Sequence, residues 1–170
     1  VGDTVDAYAT IFKDGHDVLR AVVRYRAPGS DWQEAEMERI DAHVAGDRWR
    51  GSFPVGAQGL HAFTFEAWTD QFATWRREIE RKVEAGQEDF GGELSEGAAL
   101  LHQIADRADA DSADDAARLR HAAEHLTVDA ALDNELLAIA QRHPDRTNAS
   151  ILDEPLQLDV DRVRARFGAW

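Results

Sequence analysis

Residues 59–86 read GLHAFTFEAWTDQFATWRREIERKVEAG, and a change of period inside this stretch decides the fold. Up to Trp68, Phe63, Phe65 and Ala67 alternate with Ala62, Thr64, Glu66 and Trp68, the two-residue repeat of a strand. Beyond it, Phe72, Trp75, Ile79 and Val83 recur at steps of three, four and four, one stripe of an amphipathic helix. Thr69 or Asp70 is placed to cap the open N–H groups of that helix, and Gly86 to end it in a left-handed turn. Almost everything upstream of the junction reads as strand, and most of the chain downstream of it, as far as Pro144, reads as helix. Two structural units are therefore expected.

Working upstream, residues 3–12 (DTVDAYATIF) alternate, and Asp14-Gly15 is a hairpin signal that predicts Val18–Arg26 as the partner of the first strand. Pro28-Gly29-Ser30 reads as a turn, Trp32–Met37 as an irregular edge segment, and Ile40, Ala42 and Val44 as a third strand. Arg48–Phe53 places Trp49, Gly51 and Phe53 on one face, and Pro54–Gly59 is a loop. Far downstream, Leu156, Leu158 and Val160 alternate with Gln157, Asp159 and Asp161. A strand there must pair with the early ones or waste its backbone donors and acceptors. The expectation is an immunoglobulin-like antiparallel β-sandwich made from residues 1–69 and 148–170, with a small α-helical bundle, 70–147, inserted in it.

Within the insertion, Ser95 is placed to cap a second helix carrying Leu100, Leu101, Ile104 and Ala108. Ser112, with Asp115 three residues on, approximates a capping box for a third helix whose Ala116, Leu119, Ala123 and Leu126 face inward. Asp133 begins a fourth through Leu136, Leu137, Ile139 and Ala140, closed by His143-Pro144. Val128–Leu132 reads as an extra helical turn, and Gln141–Pro155 as a return linker.

A formal charge of −14 repels phosphate backbones and anionic lipid, which argues against nucleic-acid or membrane partners. Cysteine is absent, removing disulfides and thiolate chemistry, and no apolar run reaches the roughly 18 residues of a membrane span. A cytoplasmic setting is expected. The start at Val1 without Met leads us to expect a piece of a longer protein. No G-x-S-x-G, P-loop or Rossmann glycine pattern is present, so nucleophilic catalysis has no support, and no cofactor is expected.

One pattern carries chemistry. His121-Ala122-Ala123-Glu124-His125 matches H-x-x-E-H, which on a helix sets two imidazoles one turn apart to share a zinc, with Glu124 beside them as a base. A working hydrolase needs a third ligand and a cleft, and the later glutamates are Glu135 and Glu154. We read the stretch as a solvated face or adventitious metal binder, and assign no metal site. His16, His43, His61 and His102 have no partner at ligand spacing and are expected to be surface or half-buried structural residues. Of five tryptophans, Trp49, Trp68 and Trp75 are expected in cores or interfaces, whereas Trp32, beside Asp31, looks exposed enough to stack on a sugar.

Four segments together resemble one family: FKDGHDVLRAVVRYR (12–26), DRWRGSF (47–53), residues 59–87, and DVDRVRARFGAW (159–170). They are similar to the N-terminal region of bacterial α-1,4-glucan:maltose-1-phosphate maltosyltransferases, of the α-amylase clan. The resemblance spans essentially the whole chain and is weakest over the acidic helices at 93–147. It implies a β-sandwich with an inserted helical domain, a contribution to a homodimer interface, and a (β/α)8 catalytic barrel of the same parent chain beginning after DRVRARFGAW. The family's nucleophilic Asp and acid/base Glu lie in that barrel, so no catalytic residue is assigned here. Family members carry further residues before the position of Val1, so one edge of the sandwich is expected to lie outside the sequence. The implied role is a non-catalytic scaffold and dimerisation region of an enzyme that extends α-1,4-glucan from maltose 1-phosphate by retaining transfer. Asp70, Trp75 and Arg76 are the expected barrel or interface contacts. The alternative is an autonomous α-glucan-binding module that uses Trp32.

Overall fold

A computed structural model of the chain describes residues 3–40 and 47–161. They form a mixed α and β structure, a curled antiparallel sheet and five helices. The chain divides into two compact units. One comprises Val1–Lys13, Leu19–Trp68 and Ala149–Trp170, the other Asp14–Val18 and Thr69–Asn148.

The first unit holds β1 (Asp3–Thr10), β2 (Leu19–Arg26), β3 (Gln33–Arg39), β4 (Arg48–Val55), β5 (Gly59–Thr69), β6 (Ser150–Ile151) and β7 (Leu156–Val160). Their order in the sheet is β1-β4-β3-β2-β5-β6, and β7 also pairs with β5. The late strand pairs as its alternation predicts, in a register running from Gly59↔Val160 to Phe63↔Leu156. Just beyond it on β5, β6 pairs at Glu66↔Ile151 and Ala67↔Ser150. Side chains from distant places in this order share one core. Phe53 of β4 stacks on Tyr25 of β2 at 4.9 Å and meets Phe63 of β5 at 5.5 Å, although β4 and β5 are not hydrogen-bonded neighbours. That convergence is the curl.

Several expectations fail here. The first strand does not pair with the second. Instead β1 lies against β4 over Asp3↔Val55 to Thr10↔Arg48, and β2 pairs with β3. The segment between β1 and β2, Ile11–Val18, is too long for a two-residue hairpin turn, even with Gly15 at φ +108°. Its last residue is committed elsewhere: the Val18 carbonyl accepts from the Asp70 N–H, and its own N–H donates to Thr74 Oγ1. The second failure concerns Trp32–Met37. Gln33–Arg39 is a regular strand held between β4 and β2, and Met37 is buried. The third strand expected at Ile40–Val44 is not seen at Ile40, which lies just past β3 and is exposed, while residues 41–46 lie outside the described residues. On β4, Trp49, Gly51 and Phe53 face the core as the alternation predicts, and Val55, expected in the loop at Pro54–Gly59, continues the strand and is buried too. Gly51 is required there, because a Cβ would sit 2.7 Å from Val23 Cγ1 and 2.9 Å from Met37 Cγ.

The second unit holds α1 (Gln71–Glu84), α2 (Gly91–Ala108), α3 (Ala113–Glu124), α4 (Val128–Ala131) and α5 (Asn134–Arg142). Its core collects Phe72, Trp75, Ile79, Leu101, Ile104, Leu119 and Ile139 with six buried alanines. Full burial of each large apolar side chain is worth about 1.5–3 kcal/mol, and the alanines let the helices approach closely. Asp70 caps α1 and Gly86 closes it at φ +78°, while Val83 turns outward and is exposed. Ser95 is not a cap: it lies one turn inside α2, and its hydroxyl donates to the Gly91 carbonyl. The start of α2 is held instead by Asp89, whose Oδ1 accepts from the Gly91 N–H. Ser112, Thr127 and Asp133 cap α3, α4 and α5. The capping box at Ser112 is only half made, because the Asp115 carboxylate points away to Arg142 and His143. The stretch predicted as a return linker begins in helix, through Arg142, and contains β6.

Candidate functional site

Asp70, Trp75 and Arg76 come together as the anchors of α1 inside the helical unit. Asp70 Oδ1 accepts from the Ala73 N–H at 2.9 Å and Oδ2 accepts from Gln141 Nε2 of α5 at 2.8 Å. Arg76 is buried, and its guanidinium donates to the Leu132 carbonyl at 2.8 Å and to Asn134 Oδ1 at 2.9 Å. Its Nε lies 3.3 Å from Glu80. The fork thus neutralises carbonyls at the C-terminal end of α4, where the helix dipole favours a cation. Trp75 is 4 % exposed, with Nε1 donating to the Glu93 carbonyl at 2.9 Å. The ring lies so close to α2 that a Cβ on Gly97 would be 2.2 Å from Cζ2. Each side chain therefore has an internal partner, and what the trio does chemically is lock α1 to α2, α4 and α5.

Trp32 lies in the β unit and is half-buried. The Arg26 guanidinium sits 4.7 Å from its ring centroid and that of Arg24 5.7 Å away. Cations on an indole compete for the face a sugar would use. Trp49, Trp68 and Trp75 are buried as expected, and Trp170 and His43 lie outside the described residues. His61 is fully buried, with Nδ1 3.2 Å from the Gly59 carbonyl.

Sequence reading missed a triad in which Asp115 and His143 are buried and Arg142 is exposed. Asp115 of α3 accepts two bonds from Arg142, at 2.9 and 2.6 Å, and one from His143 Nε2 at 2.9 Å. Hydrogen bonds from Arg142 and His143 hold the Asp115 carboxyl below its ordinary range. Its only sequence signal was an aspartate at a capping position beside the Arg142-His143 pair that ends α5. Elsewhere in the unit, Lys82 and Gln87 hydrogen-bond Glu93 and bring its pKa down to about 2. No helix of the described residues is long and apolar enough to cross a membrane.

The H-x-x-E-H residues are exposed. His121 lies in the last turn of α3 and His125 just past its end, with ring centroids 4.6 Å apart and Glu124 beside them. A groove of about 520 Å³ runs alongside, lined by His121, His125, Ala130, Glu135, Leu136 and Ile139 among others. Glu135, one candidate for a third ligand, is engaged by Arg118.

The chain matches the family described as α-1,4-glucan:maltose-1-phosphate maltosyltransferase, domain N/S, over residues 1–162. It is 43% identical over 183 residues to the maltosyltransferase of that name from Myxococcus xanthus, covering 100% of the chain and 27% of that protein. With the one from Chlorobaculum tepidum it shares 36% over 177 residues, covering 99% of the chain and 25% of the relative. The Salinibacter ruber protein is 34% identical over 175 residues, with 100% and 25% covered. The chain thus spans about a quarter of the length of the curated relatives it matches.

Proposed function

This chain belongs to the α-1,4-glucan:maltose-1-phosphate maltosyltransferase family, as its N-terminal N/S region, and from that premise we propose that it is the scaffold on which the catalytic domain of the parent enzyme is mounted. In this reading residues 1–69 and 148–170 are an immunoglobulin-like sandwich, and 70–147 are an inserted bundle that contributes to a homodimer. The parent transfers maltosyl units from maltose 1-phosphate to α-1,4-glucan with retention, in the bacterial cytoplasm. Its paired carboxylates belong to a (β/α)8 barrel and not to this region.

One observation carries the proposal. An apolar groove of about 320 Å³ lies in the β unit between the end of β1 and the β5–β6 edge, lined by Ile11, Phe12, Phe65, Ala67, Ile151 and Leu152. Phe12 is 70% exposed, Ile151 45% and Leu152 44%. Apolar side chains clustered in this way mark a surface that another body covers. The internally engaged polar groups of Asp70, Trp75 and Arg76 suit a rigid mount.

Phe12→Asp with Leu152→Asp in the full-length enzyme tests it. The expected result is loss of maltosyl transfer and a changed sedimentation profile, while the 170 residues alone neither turn over maltose 1-phosphate nor give heat with maltoheptaose. Turnover by the isolated piece, or full activity and assembly in the double variant, overturns the scaffold. Heat with maltoheptaose that Trp32→Ala abolishes establishes the glucan-binding module instead.

A further inference from the structure

We propose that His121, Glu124 and His125 form a binding site for a divalent transition cation, with zinc the best match, at the C-terminal end of α3. The ligand set suits such an ion: two imidazoles and a carboxylate bind zinc well, whereas magnesium and calcium seek all-oxygen shells. The donor atoms of the three residues lie within 4.8 Å of one another. Donors on a tetrahedral zinc stand about 3.4 Å apart, given bonds of roughly 2.1 Å. Exposed side chains close that difference by small rotations without moving the helix.

Geometry has already prepared one ligand. His125 Nδ1 lies 3.1 Å from the His121 carbonyl oxygen. A carbonyl only accepts, so Nδ1 carries the proton and Nε2 presents its lone pair outward. A backbone carbonyl holding the second ring nitrogen is the usual way in which a metal-binding imidazole is oriented and made more basic. The position of the pair adds to this. The last carbonyls of α3 carry negative partial charge, which favours a cation just beyond the helix end, where His125 stands.

We assign the site no hydrolytic role, because with Glu124 bound to the ion the motif keeps no free carboxylate to act as base, and Glu135 on the same groove is engaged by Arg118. The ion instead ties His125, a non-helical residue, back to the last turn of α3, and so stabilises the folded chain by mass action.

The test uses the full chain with any affinity tag removed, titrated with zinc chloride against a chromophoric chelator and followed in parallel by thermal unfolding. One zinc per chain is expected, with a raised unfolding midpoint and no effect of excess magnesium. His121→Ala and His125→Ala each abolish the saturable binding, Glu124→Gln weakens it, and His102→Ala, at an exposed histidine of α2, leaves it unchanged. Absence of saturable binding at millimolar zinc overturns the site, as does undiminished binding in the His121→Ala/His125→Ala variant. Should a variant fold poorly, the imidazole resonances of the unaltered chain decide: His121 and His125 shift first if the site exists, and other histidines shift first if it does not.

Discussion

Gly97→Ala sets two rules against each other, and the structure says which wins. On an exposed helix the change is favourable by about 1 kcal/mol, because alanine loses less backbone freedom than glycine. Gly97 is buried in α2, and its new Cβ would stand 2.2 Å from Trp75 Cζ2, 2.5 Å from Cη2 and 2.7 Å from Cε2. Carbon atoms pack at about 3.5–4.0 Å, so the indole must retreat by more than an ångström or α2 must lift away from α1. Overpacking of this kind costs roughly 1–3 kcal/mol. Either movement also pulls Trp75 Nε1 from the Glu93 carbonyl, and an unpaired buried polar group costs a further 1–3 kcal/mol or so. After subtracting the propensity gain, a net loss of roughly 1–5 kcal/mol is expected. Urea unfolding followed by far-UV ellipticity reads it as a lower midpoint at unchanged slope. In a Trp75→Phe background the six-membered part of the indole is gone, so Gly97→Ala costs less there, and the difference measures the coupling. A Gly97→Ala chain as stable as the parent, or more so, refutes the close packing of α1 on α2.

Two further perturbations probe the polar network. Arg76→Ala leaves the Leu132 carbonyl and Asn134 without their guanidinium and is expected to cost about 1–3 kcal/mol in urea unfolding, with Arg76→Lys failing to restore the loss because an ammonium cannot reproduce the fork. Asp115→Asn tests the pH limb. The folded-state pKa of Asp115 is lowered by Arg142 and His143, so its contribution is present above the unfolded value of about 3.9 and fades as pH falls through the folded value. The variant should melt below the parent near neutral pH, and the gap should narrow in acid. A gap that stays constant through the acid limb would show that Asp115 is not stabilised by being ionised.

The two periods in residues 59–86 were legible because each is a local property. Side chains two apart share a strand face and those three or four apart share a helix face, whatever the rest of the chain does. The caps at Asp70, Ser112 and Asp133 were equally readable, since each hydroxyl or carboxylate accepts from an N–H two or three residues away. The family was legible for another reason: four segments in fixed order specify more than any one of them. The H-x-x-E-H ligands were visible as spacing, but the proton on His125 Nδ1 and the groove beside them were not.

Local pattern thus determined most of the strands, though not β3 or β6, which segments are helix, where most helices start, and that the strand at Leu156–Val160 needed a partner. Only the tertiary structure decided the partners. β1 chose β4 over β2, Asp115 turned from its cap to Arg142 and His143, and Arg76 reached the end of α4. These choices join residues tens of positions apart, and their free energies come from burial and desolvation that exist only once the chain has closed on itself.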